Sequence, residues 1–233
     1  MFSIYQNNMV RRIFVICTVI FASLILQSSV WAADGKALVE QNECGSCHKM
    51  EGPAATTVAE VMKRKAPDLF YAGSKFNQDW LVKFIQSPAQ IRPAGTVYTN
   101  NIKTEGDKDT IKDPPKCAAE LSADDANAVA DYLMTLKDGN METGVFKAGK
   151  FSKARVRRIV TKSEACNACH RFPKKGGGVS CPTFEGIGSR LNPDWIYSFV
   201  KDPKYWDPKI WMAKREFDDK TLQMIVNYLV SFK

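Results

Sequence analysis

"CGSCH" (Cys44–His48) and "CNACH" (Cys166–His170) are the two stretches of sequence that decide the fold. Each has two cysteines three positions apart and a histidine directly after the second cysteine. Disulfide oxidoreductases and zinc sites also use Cys-x-x-Cys pairs, but neither requires a histidine at the next position twice in one chain. The pattern is instead the signature for covalent attachment of c-type haem. We therefore predict two covalently bound haem c groups.

The chemistry of this motif assigns a role to each of its residues. The two thiols add to the vinyl groups of one haem, and the histidine becomes the proximal axial ligand of the iron. The cysteines expected to attach haem are Cys44, Cys47, Cys166 and Cys169, and the expected proximal iron ligands are His48 and His170. The chain has only two histidines, so this chain cannot supply a second histidine to either iron. The sixth ligand of each iron must be a sulfur atom, another side chain, water or nothing.

The N-terminus has the three-part layout of a secretory signal peptide. A polar head ends in Arg11 and Arg12, an apolar run of 14 residues extends from Ile13 to Leu26, and Val30–Ala32 forms a small-x-small cleavage site. A helix needs about 20 apolar residues to span a bilayer, which disfavours the alternative of an uncleaved anchor. We predict a signal peptide over residues 1–32 and a periplasmic or otherwise exported chain with no membrane span after cleavage.

The charge of the chain bears on its partners. The formal net charge is +8, and cleavage after residue 32 would remove two arginines and leave +6. This charge fits a solvated lysine-rich surface, and it also fits electrostatic steering toward an acidic partner. Nucleic acid is not an expected partner, because the lysines are scattered and the chain is predicted to be exported.

An internal repeat links the two halves of the chain. "NQDWLVKFIQSPAQIRP" from Asn77 and "NPDWIYSFVKDPKYWDP" from Asn192 align without gaps at an offset of 115 residues, which indicates a duplicated domain. An Asn or Asp before the tryptophan is expected to cap a helix, and the proline after it to end that helix. We expect Trp80 and Trp195 to pack in a core rather than to carry electrons.

The repeat defines the predicted domain organisation. Residues 33–138 form an N-terminal domain, residues 139–150 a linker, and residues 151–233 a C-terminal domain. Each domain is expected to run through a helix, the cysteine motif, a loop, the tryptophan helix, a second loop and an amphipathic terminal helix. The N-terminal domain has an additional polar segment, Thr99–Lys116, which predicts a surface loop.

The sequence resembles the class I cytochrome c family, in its tandem dihaem form. Besides the two motifs, the resemblance rests on Pro-Asp-Leu at Pro67–Leu69, on Cys-Pro-Thr-Phe and Gly-Ile-Gly within Cys181–Gly188, and on the Tyr-Leu pairs of the terminal helices. It implies an all-α fold with two class I cytochrome c domains in tandem, each wrapped around one covalently attached haem c.

The resemblance also implies how the iron ligands are held. Pro67 and Pro182 are expected to accept a hydrogen bond from the proximal imidazole through their carbonyl groups, which fixes the tautomer of the histidine. The terminal helix of each domain is expected to make an aromatic contact with the first helix of that domain, at Tyr132 and Tyr228.

The family's sixth ligand is usually a methionine in the loop before the terminal helix. Met212, which lies 16 residues before Tyr228, has this position in the C-terminal domain. The N-terminal domain has no methionine there, but Cys117 lies 15 residues before Tyr132, so we predict Cys117 as the sixth ligand of the first iron. Two alternatives stay open: a disulfide between Cys117 and Cys181, or a free Cys117 thiol. In the second case Lys112, Lys116 or Tyr98 could bind the iron.

Electron transfer is the function that these features predict. The expected protein is an exported dihaem cytochrome with one His/Cys haem and one His/Met haem, and no catalytic residue is predicted. Its expected partners are acidic-surfaced redox proteins that act as donor and acceptor, or a larger oxidoreductase complex. The alternative is a haem enzyme or enzyme subunit that oxidises an inorganic sulfur compound such as thiosulfate at the His/Cys haem.

Overall fold

The computed structural model describes residues 34–233, which fold mainly as short helices joined by long irregular segments. The predicted signal peptide, residues 1–32, lies outside the described residues. Residues 33–233 belong to one structural unit. Within the described part of the chain, no helix is long and apolar enough to cross a bilayer.

The N-terminal half places its haem motif between the first two helices. The motif forms a 3₁₀ turn at Cys44–Ser46. The α-helices of this half are α1 (Gly35–Gln41), α2 (Val58–Met62), α3 (Ala72–Lys75), α4 (Gln78–Gln86) and α5 (Ala123–Thr135). Between α4 and α5 the chain makes a 3₁₀ turn at Tyr98–Asn101 and two strands, β1 (Ile102–Glu105) and β2 (Lys108–Ile111).

The C-terminal half follows a similar order. Its motif also forms a 3₁₀ turn, at Cys166–Ala168. Its α-helices are α6 (Lys153–Arg158), α7 (Ile187–Arg190), α8 (Pro193–Lys201), α9 (Pro203–Trp206) and α10 (Asp219–Val230), and α6 continues into a π-helical turn at Ile159–Ser163. Two short strands, β3 (Arg171–Phe172) and β4 (Gly176–Gly177), take the place that α2 has in the other half.

The long helices begin where the sequence supplies caps. Ser122, Asn192 and Asp218 precede α5, α8 and α10, and each side chain accepts a hydrogen bond from a backbone N–H of the first turn. Asn77 precedes α4 but makes no such capping bond. Its side-chain amide instead donates to two carbonyl groups of the C-terminal half, those of Ser189 and Leu191.

The segment Thr99–Lys116 differs from the predicted loop, because it contains an antiparallel hairpin. Ile102 pairs with Ile111 and Glu105 with Lys108. Gly106, at φ 61°, supplies the left-handed conformation that a two-residue hairpin turn needs. The polar composition of the segment does not reveal this strand pairing, because every residue of β2 is exposed and no apolar alternation marks the strand. With the β3–β4 pair, the predicted helical fold carries two small hairpins.

Each half has its own apolar core. The N-terminal core is built by α1, α3, α4 and α5 from Val39, Ala72, Leu81, Ile85, Ala126, Val129, Ala130 and Leu133. The larger C-terminal core contains Trp195 and Trp206, and it also takes in Tyr71 of the N-terminal half, whose ring lies 5.1 Å from that of Trp206. Trp80 stacks on Phe84 at 4.7 Å, so both repeat tryptophans are packed among other aromatic rings.

The first and terminal helices meet differently in the two halves. Phe151, just before α6, places its ring 6.3 Å from that of Tyr228. In the N-terminal half the contact is made by Gly35, where an added Cβ would lie 1.9 Å from the carbonyl oxygen of Ala128 and 2.9 Å from Cβ of Tyr132. Tyr132 therefore packs against a glycine rather than against the expected aromatic ring, because the two helix backbones approach too closely for a ring to fit between them.

The two halves join through equivalent residues of the repeat. The backbone N–H of Asn77 donates to Arg190 at 3.0 Å, and that of Asn192 donates to Lys75 at 2.9 Å. Phe76 and Leu191 form an antiparallel bridge between these bonds. The two donors, the two acceptors and the two bridge residues are each separated by the repeat offset of 115 residues, so the contact resembles a local two-fold axis.

Candidate haem sites

The first motif holds its two thiols and its imidazole on one tight turn. Glu43, at φ 50°, introduces the 3₁₀ turn, and the N–H of His48 closes it on the carbonyl of Cys44 at 2.9 Å. The Cys44 side chain is half-buried and that of Cys47 is exposed. Burial is the main cause of the raised pKa of Cys44, and the neighbouring Cys117 thiol adds to it.

His48 is oriented by a carbonyl group. Its Nδ1 lies 2.7 Å from the carbonyl oxygen of Pro67, and a carbonyl can only accept, so Nδ1 carries the proton. This tautomer leaves Nε2 with a free lone pair for a metal. Burial lowers the pKa of His48 despite the bond to Pro67, which favours the neutral imidazole that a metal requires.

The second motif repeats this geometry. Ala165, at φ 49°, precedes its turn, and the N–H of His170 donates to the carbonyl of Cys166 at 2.9 Å. Nδ1 of His170 lies 2.7 Å from the carbonyl oxygen of Pro182, and the ring of Phe184 stacks on the imidazole at 4.3 Å. Burial lowers the pKa of His170 to about 4, so this imidazole is also neutral.

These residues fit a covalently bound haem. In the part of the chain that the structure describes, the four motif cysteines are free thiols, and each pair lies on one turn with an imidazole whose Nε2 is available. Burial raises the pKa of Cys166 to about 11, so this thiol stays protonated until it reacts. Among residues 34–233 no cluster of three or more His, Cys, Asp or Glu side chains could hold a metal ion by itself.

The predicted sixth ligands lie on irregular segments before the terminal helices. Met212 is half-buried, between α9 and α10. Cys117 is exposed, between β2 and α5, and is close enough to Cys44 to affect the pKa of its thiol. The structure thus brings Cys117 near the first motif, on a segment without regular hydrogen bonding.

Four other residues bear on the alternative roles of Cys117 and the first iron. Cys117 and Cys181 are both free thiols in this structure, so no disulfide joins them. The Cys181 N–H instead donates to the carbonyl of Cys169 at 3.2 Å, within the second site. The Tyr98 hydroxyl donates to Asp109 at 3.2 Å, and the Lys116 ammonium lies 3.6 Å from Asp113. Lys112 is exposed on the hairpin side of the segment.

Sequence reasoning missed the charged residues between the halves. Arg64 contacts Asp68 of its own half at 2.8 Å and Asp207 of the other half at 2.5 Å. Lys75 and Arg190 lie at the contact between the halves. The repeat could have indicated Lys75 and Arg190, since both are cationic and they lie 115 residues apart. Nothing in the sequence indicates that Arg64 reaches Asp207.

Comparison with known proteins agrees with the first of these sites. The sequence model of the cytochrome c family matches residues 32–137, the segment that holds Cys44, Cys47, His48 and Pro67. No curated protein shows significant sequence similarity to the chain. The matched segment is a helical class I cytochrome c domain, which implies covalently bound haem c and haem-based electron transfer. The match covers 106 of the 233 residues and supports a c-type cytochrome domain over residues 32–137.

Proposed function

We propose that the chain is an exported dihaem c-type cytochrome, with two class I cytochrome c domains in tandem that transfer electrons between redox partners. The observation that carries this proposal is the identical arrangement of His48 with Pro67 and of His170 with Pro182, at 2.7 Å in both halves. An imidazole held in this way after two thiols on a 3₁₀ turn is the arrangement that a covalently attached haem requires.

A second contact supports two domains of the same fold. The N–H of Gly73 donates to the carbonyl of Leu136 at 2.8 Å, and the N–H of Gly188 donates to that of Phe232 at 2.9 Å. Both glycines lie in the short helix before the tryptophan helix, and both contact the end of a terminal helix. The same backbone contact at matching positions is expected when a domain is duplicated.

The sixth ligands give the two proposed sites different redox properties. A bound haem supplies an iron that changes its charge by one electron. A thioether such as Met212 favours the ferrous state and raises the potential, whereas a thiolate such as Cys117 favours the ferric state and lowers it. We infer that the site at His48 has the lower potential and the site at His170 the higher one, so electrons move from the N-terminal to the C-terminal half.

Potentiometric titration of ligand variants tests this assignment. We expect two one-electron steps separated by on the order of a few hundred millivolts, because axial ligands set haem potentials over a range of about 0.8 V. Cys117→Ala should move only the lower step, and Met212→Ala only the higher step. Glu120→Ala and Lys209→Ala, which change exposed residues three positions from the two ligands, are the matched controls and should move neither step.

Electron paramagnetic resonance of the ferric protein tests Cys117 separately. We expect a low-spin signal of thiolate-ligated iron that disappears in Cys117→Ala while the second signal persists. Two signals that are both unchanged by this substitution would show that Cys117 is not the ligand. Lys112, Lys116 or Tyr98 would then be the candidates for the sixth ligand.

The proposed partners follow from the charge of the chain. A net positive protein is steered toward acidic surfaces, and this steering weakens as salt screens the charges. We expect electron exchange with an acidic redox protein to slow steeply between low and physiological ionic strength. Exchange that does not respond to salt would contradict partners of this kind.

Oxidation of an inorganic sulfur compound is the second candidate function, and the exposure of Cys117 favours it. A sulfur ligand that solvent reaches is open to a small anion such as thiosulfate. The test is to mix the oxidised protein with thiosulfate or sulfide and to follow the Soret and α bands. Reduction within seconds that is lost in Cys117→Ala would support the enzyme, and bands that stay unchanged would contradict it.

A further inference from the structure

One stretch of the C-terminal half concentrates positive charge. From Thr143 to Ser163 the chain has seven basic residues and no acidic residue. These seven residues are called the basic face: Lys147, Lys150, Lys153, Arg155, Arg157, Arg158 and Lys162. Their summed charge of +7 exceeds the formal charge of +6 that the whole of residues 33–233 carries. The surplus charge of the chain is therefore gathered in this stretch, and the other residues of that range are close to neutral.

The fold turns the basic face toward solvent. Helix α6 and the π-helical turn after it bury one side through Val156 and Val160, which are 0% and 1% exposed. These valines lie four positions apart and so share one side of the helix. All seven members of the basic face are exposed. The core thus uses the apolar side of this element, and the charged side stays free.

The basic face has no acidic counterpart in the part of the chain that the structure describes. None of its seven side chains forms an ion pair there. The nearest acidic residue along the sequence, Glu164, is bound by Arg215, whose Nε lies 3.3 Å from the Glu164 carboxylate. The basic face therefore keeps its full charge for a partner outside the chain.

The spacing of these charges does not serve the stability of the helix. Lys153 and Arg157 lie four positions apart, and so do Arg158 and Lys162. Like charges at this spacing face each other on a helix and destabilise it. A cluster that costs stability and is not neutralised within residues 34–233 is what an electrostatic binding surface requires.

Anionic lipid headgroups suit the basic face better than an acidic protein does. A specific protein interface has a core of large apolar side chains inside its polar rim. The large apolar residues that the described chain exposes all lie outside residues 143–163: Val58, Ile111, Tyr205 and Trp211. A lipid surface needs no such core, because the negative potential of its headgroups attracts each clustered Lys or Arg.

We propose that the basic face binds an anionic phospholipid surface, with the C-terminal half lying against the headgroups. The contact is peripheral, because Val156 and Val160 stay in the core and only charged side chains meet the lipid. The attraction falls off within a Debye length of the surface. Binding is therefore tight at low ionic strength and weakens as salt is added.

The basic face lies next to the second haem motif. Helix α6 continues through the π-helical turn at Ile159–Ser163 toward the motif turn at Cys166–Ala168, and Cys169 after that turn is exposed. Lipid bound at the basic face keeps this motif close to the membrane surface. One consequence rests on the proposed function: the higher-potential site then delivers electrons to an acceptor in that membrane.

Vesicle binding of the haem-loaded full chain tests the proposal. We expect the chain to sediment with vesicles of phosphatidylglycerol at low salt and not with vesicles of phosphatidylcholine. Each basic residue near an anionic surface contributes about fivefold to binding. The triple variant Arg155→Gln, Arg157→Gln, Arg158→Gln should therefore weaken the partition into phosphatidylglycerol roughly a hundredfold.

A second triple variant is the matched control, because it removes the same charge from the N-terminal half. It combines Lys63→Gln, Lys83→Gln and Lys108→Gln, three exposed residues that form no ion pair among the described residues. Salt screens charges that lie away from the lipid contact, so partition should change less than about threefold. Equal losses in the two triple variants would assign the binding to net charge and overturn the proposal.

Chemical footprinting of the unsubstituted protein gives a readout that needs no variant to fold. An amine-reactive acylating reagent is applied with and without phosphatidylglycerol vesicles, and the modified lysines are identified by mass spectrometry. We expect vesicles to protect Lys147, Lys150 and Lys153, while Lys83 and Lys108 stay reactive. Protection confined to other lysines, or equal binding to both kinds of vesicle, would overturn the proposal.

Two further outcomes separate the possible explanations. If an acidic redox protein protects Lys147, Lys150 and Lys153 and the vesicles do not, the basic face is a protein interface and the proposal is wrong. The mass of the intact protein counts its haems independently of lipid. Two haems without vesicle binding would refute only the lipid contact, and one haem with vesicle binding at the basic face would refute only the proposed function.

Discussion

The two halves of the molecule agree around the proximal histidines and differ in the segments that would carry the sixth ligands. Both have a non-glycine residue in the left-handed conformation before the motif, Glu43 at φ 50° and Ala165 at φ 49°. Between the tryptophan helix and the terminal helix, one half has the β1–β2 hairpin and Cys117, and the other has α9 and Met212. The two halves thus share one backbone geometry at the residues that would attach the haem and bind its iron on the proximal side. They differ in the segments that would supply the sixth ligand.

The contact between the halves shows the same contrast at a smaller scale. Asn77 and Asn192 have matching backbone hydrogen bonds to the opposite half. Their side chains differ, because Asn192 caps its own helix whereas Asn77 donates across the contact to Ser189 and Leu191. The two asparagines thus make the same backbone hydrogen bond, but one side chain caps a helix and the other joins the halves.

The largest effect on stability is expected from Arg64→Met, which would break an ion pair within the N-terminal half, to Asp68, and one that joins the halves, to Asp207. This variant leaves the carboxylates of Asp68 and Asp207, which are 5% and 15% exposed, without an ion-pair partner, so we expect it to lower the free energy of unfolding by about 3–5 kcal/mol. Lys214→Met removes an ion pair to Asp202 whose lysine is 48% exposed, and it should cost at most about 1 kcal/mol. Chemical denaturation of both variants measures the difference.

The effect of Arg64→Met should also depend on pH. Burial raises the pKa of Asp68 even beside Arg64, and removing the arginine raises it further. A carboxyl whose pKa is higher in the folded state favours folding at low pH and loses that contribution as pH rises through the folded pKa. The defect should therefore be larger at pH 7 than near pH 4, and a defect that grows as pH falls would contradict the assignment.

A smaller and symmetrical effect is expected from the glycines beneath the terminal helices. An added Cβ would lie 2.1 Å from the Met134 carbonyl oxygen at Gly73 and 2.0 Å from the Val230 carbonyl oxygen at Gly188. We expect Gly73→Ala and Gly188→Ala each to lower the free energy of unfolding by about 1–3 kcal/mol, because backbone must move to admit the methyl group.

Gly139→Ala is the control for this pair, because an added Cβ at Gly139 meets no atom within 4 Å. Its effect should stay within about 0.5 kcal/mol. Thermal denaturation of the three variants measures these losses of stability. A large loss for only one of the two buried glycines would show that the halves do not share this contact, and would weaken the proposed duplication.

The smallest effect is expected from the two repeat asparagines. Asn192→Ala removes a helix cap and should cost about 1 kcal/mol. Asn77→Ala removes two hydrogen bonds to the other half and should cost about 1–2 kcal/mol. Replacing each by Ser separates the roles, because Ser restores a cap at position 192 but cannot reproduce the two bonds from position 77. Equal rescue at both positions, measured by denaturation, would contradict the division of roles.

Much of the local structure could be predicted from the sequence. The tryptophan helices end at Gln86 and Lys201, each two residues before a proline, because a proline disfavours helix in the residue before it. The motif residues could be assigned to their chemistry for a similar reason, since the spacing alone puts them on one turn. Such features depend on neighbours in the chain, which the sequence displays directly.

Features that depend on distant residues could not be predicted. The β1–β2 hairpin has an exposed polar strand, so no apolar alternation distinguishes it from a loop. Gly35 replaced the expected aromatic partner of Tyr132 because the helix separation decides that contact. The hydrogen bonds that the carbonyl groups of Lys75 and Arg190 accept from the opposite half, and the ion pair from Arg64 to Asp207, depend on how the halves face each other, which no local pattern encodes.

Haem content of motif variants tests the central claim, that each half holds one covalently attached haem. The protein is denatured and its mass measured, for the unsubstituted chain, for Cys44→Ser with Cys47→Ser, and for Cys166→Ser with Cys169→Ser. We predict the mass of two haems on the unsubstituted chain and of one haem on each double variant. A single haem on the unsubstituted chain, retained in full when Cys166 and Cys169 are replaced, would contradict the claim.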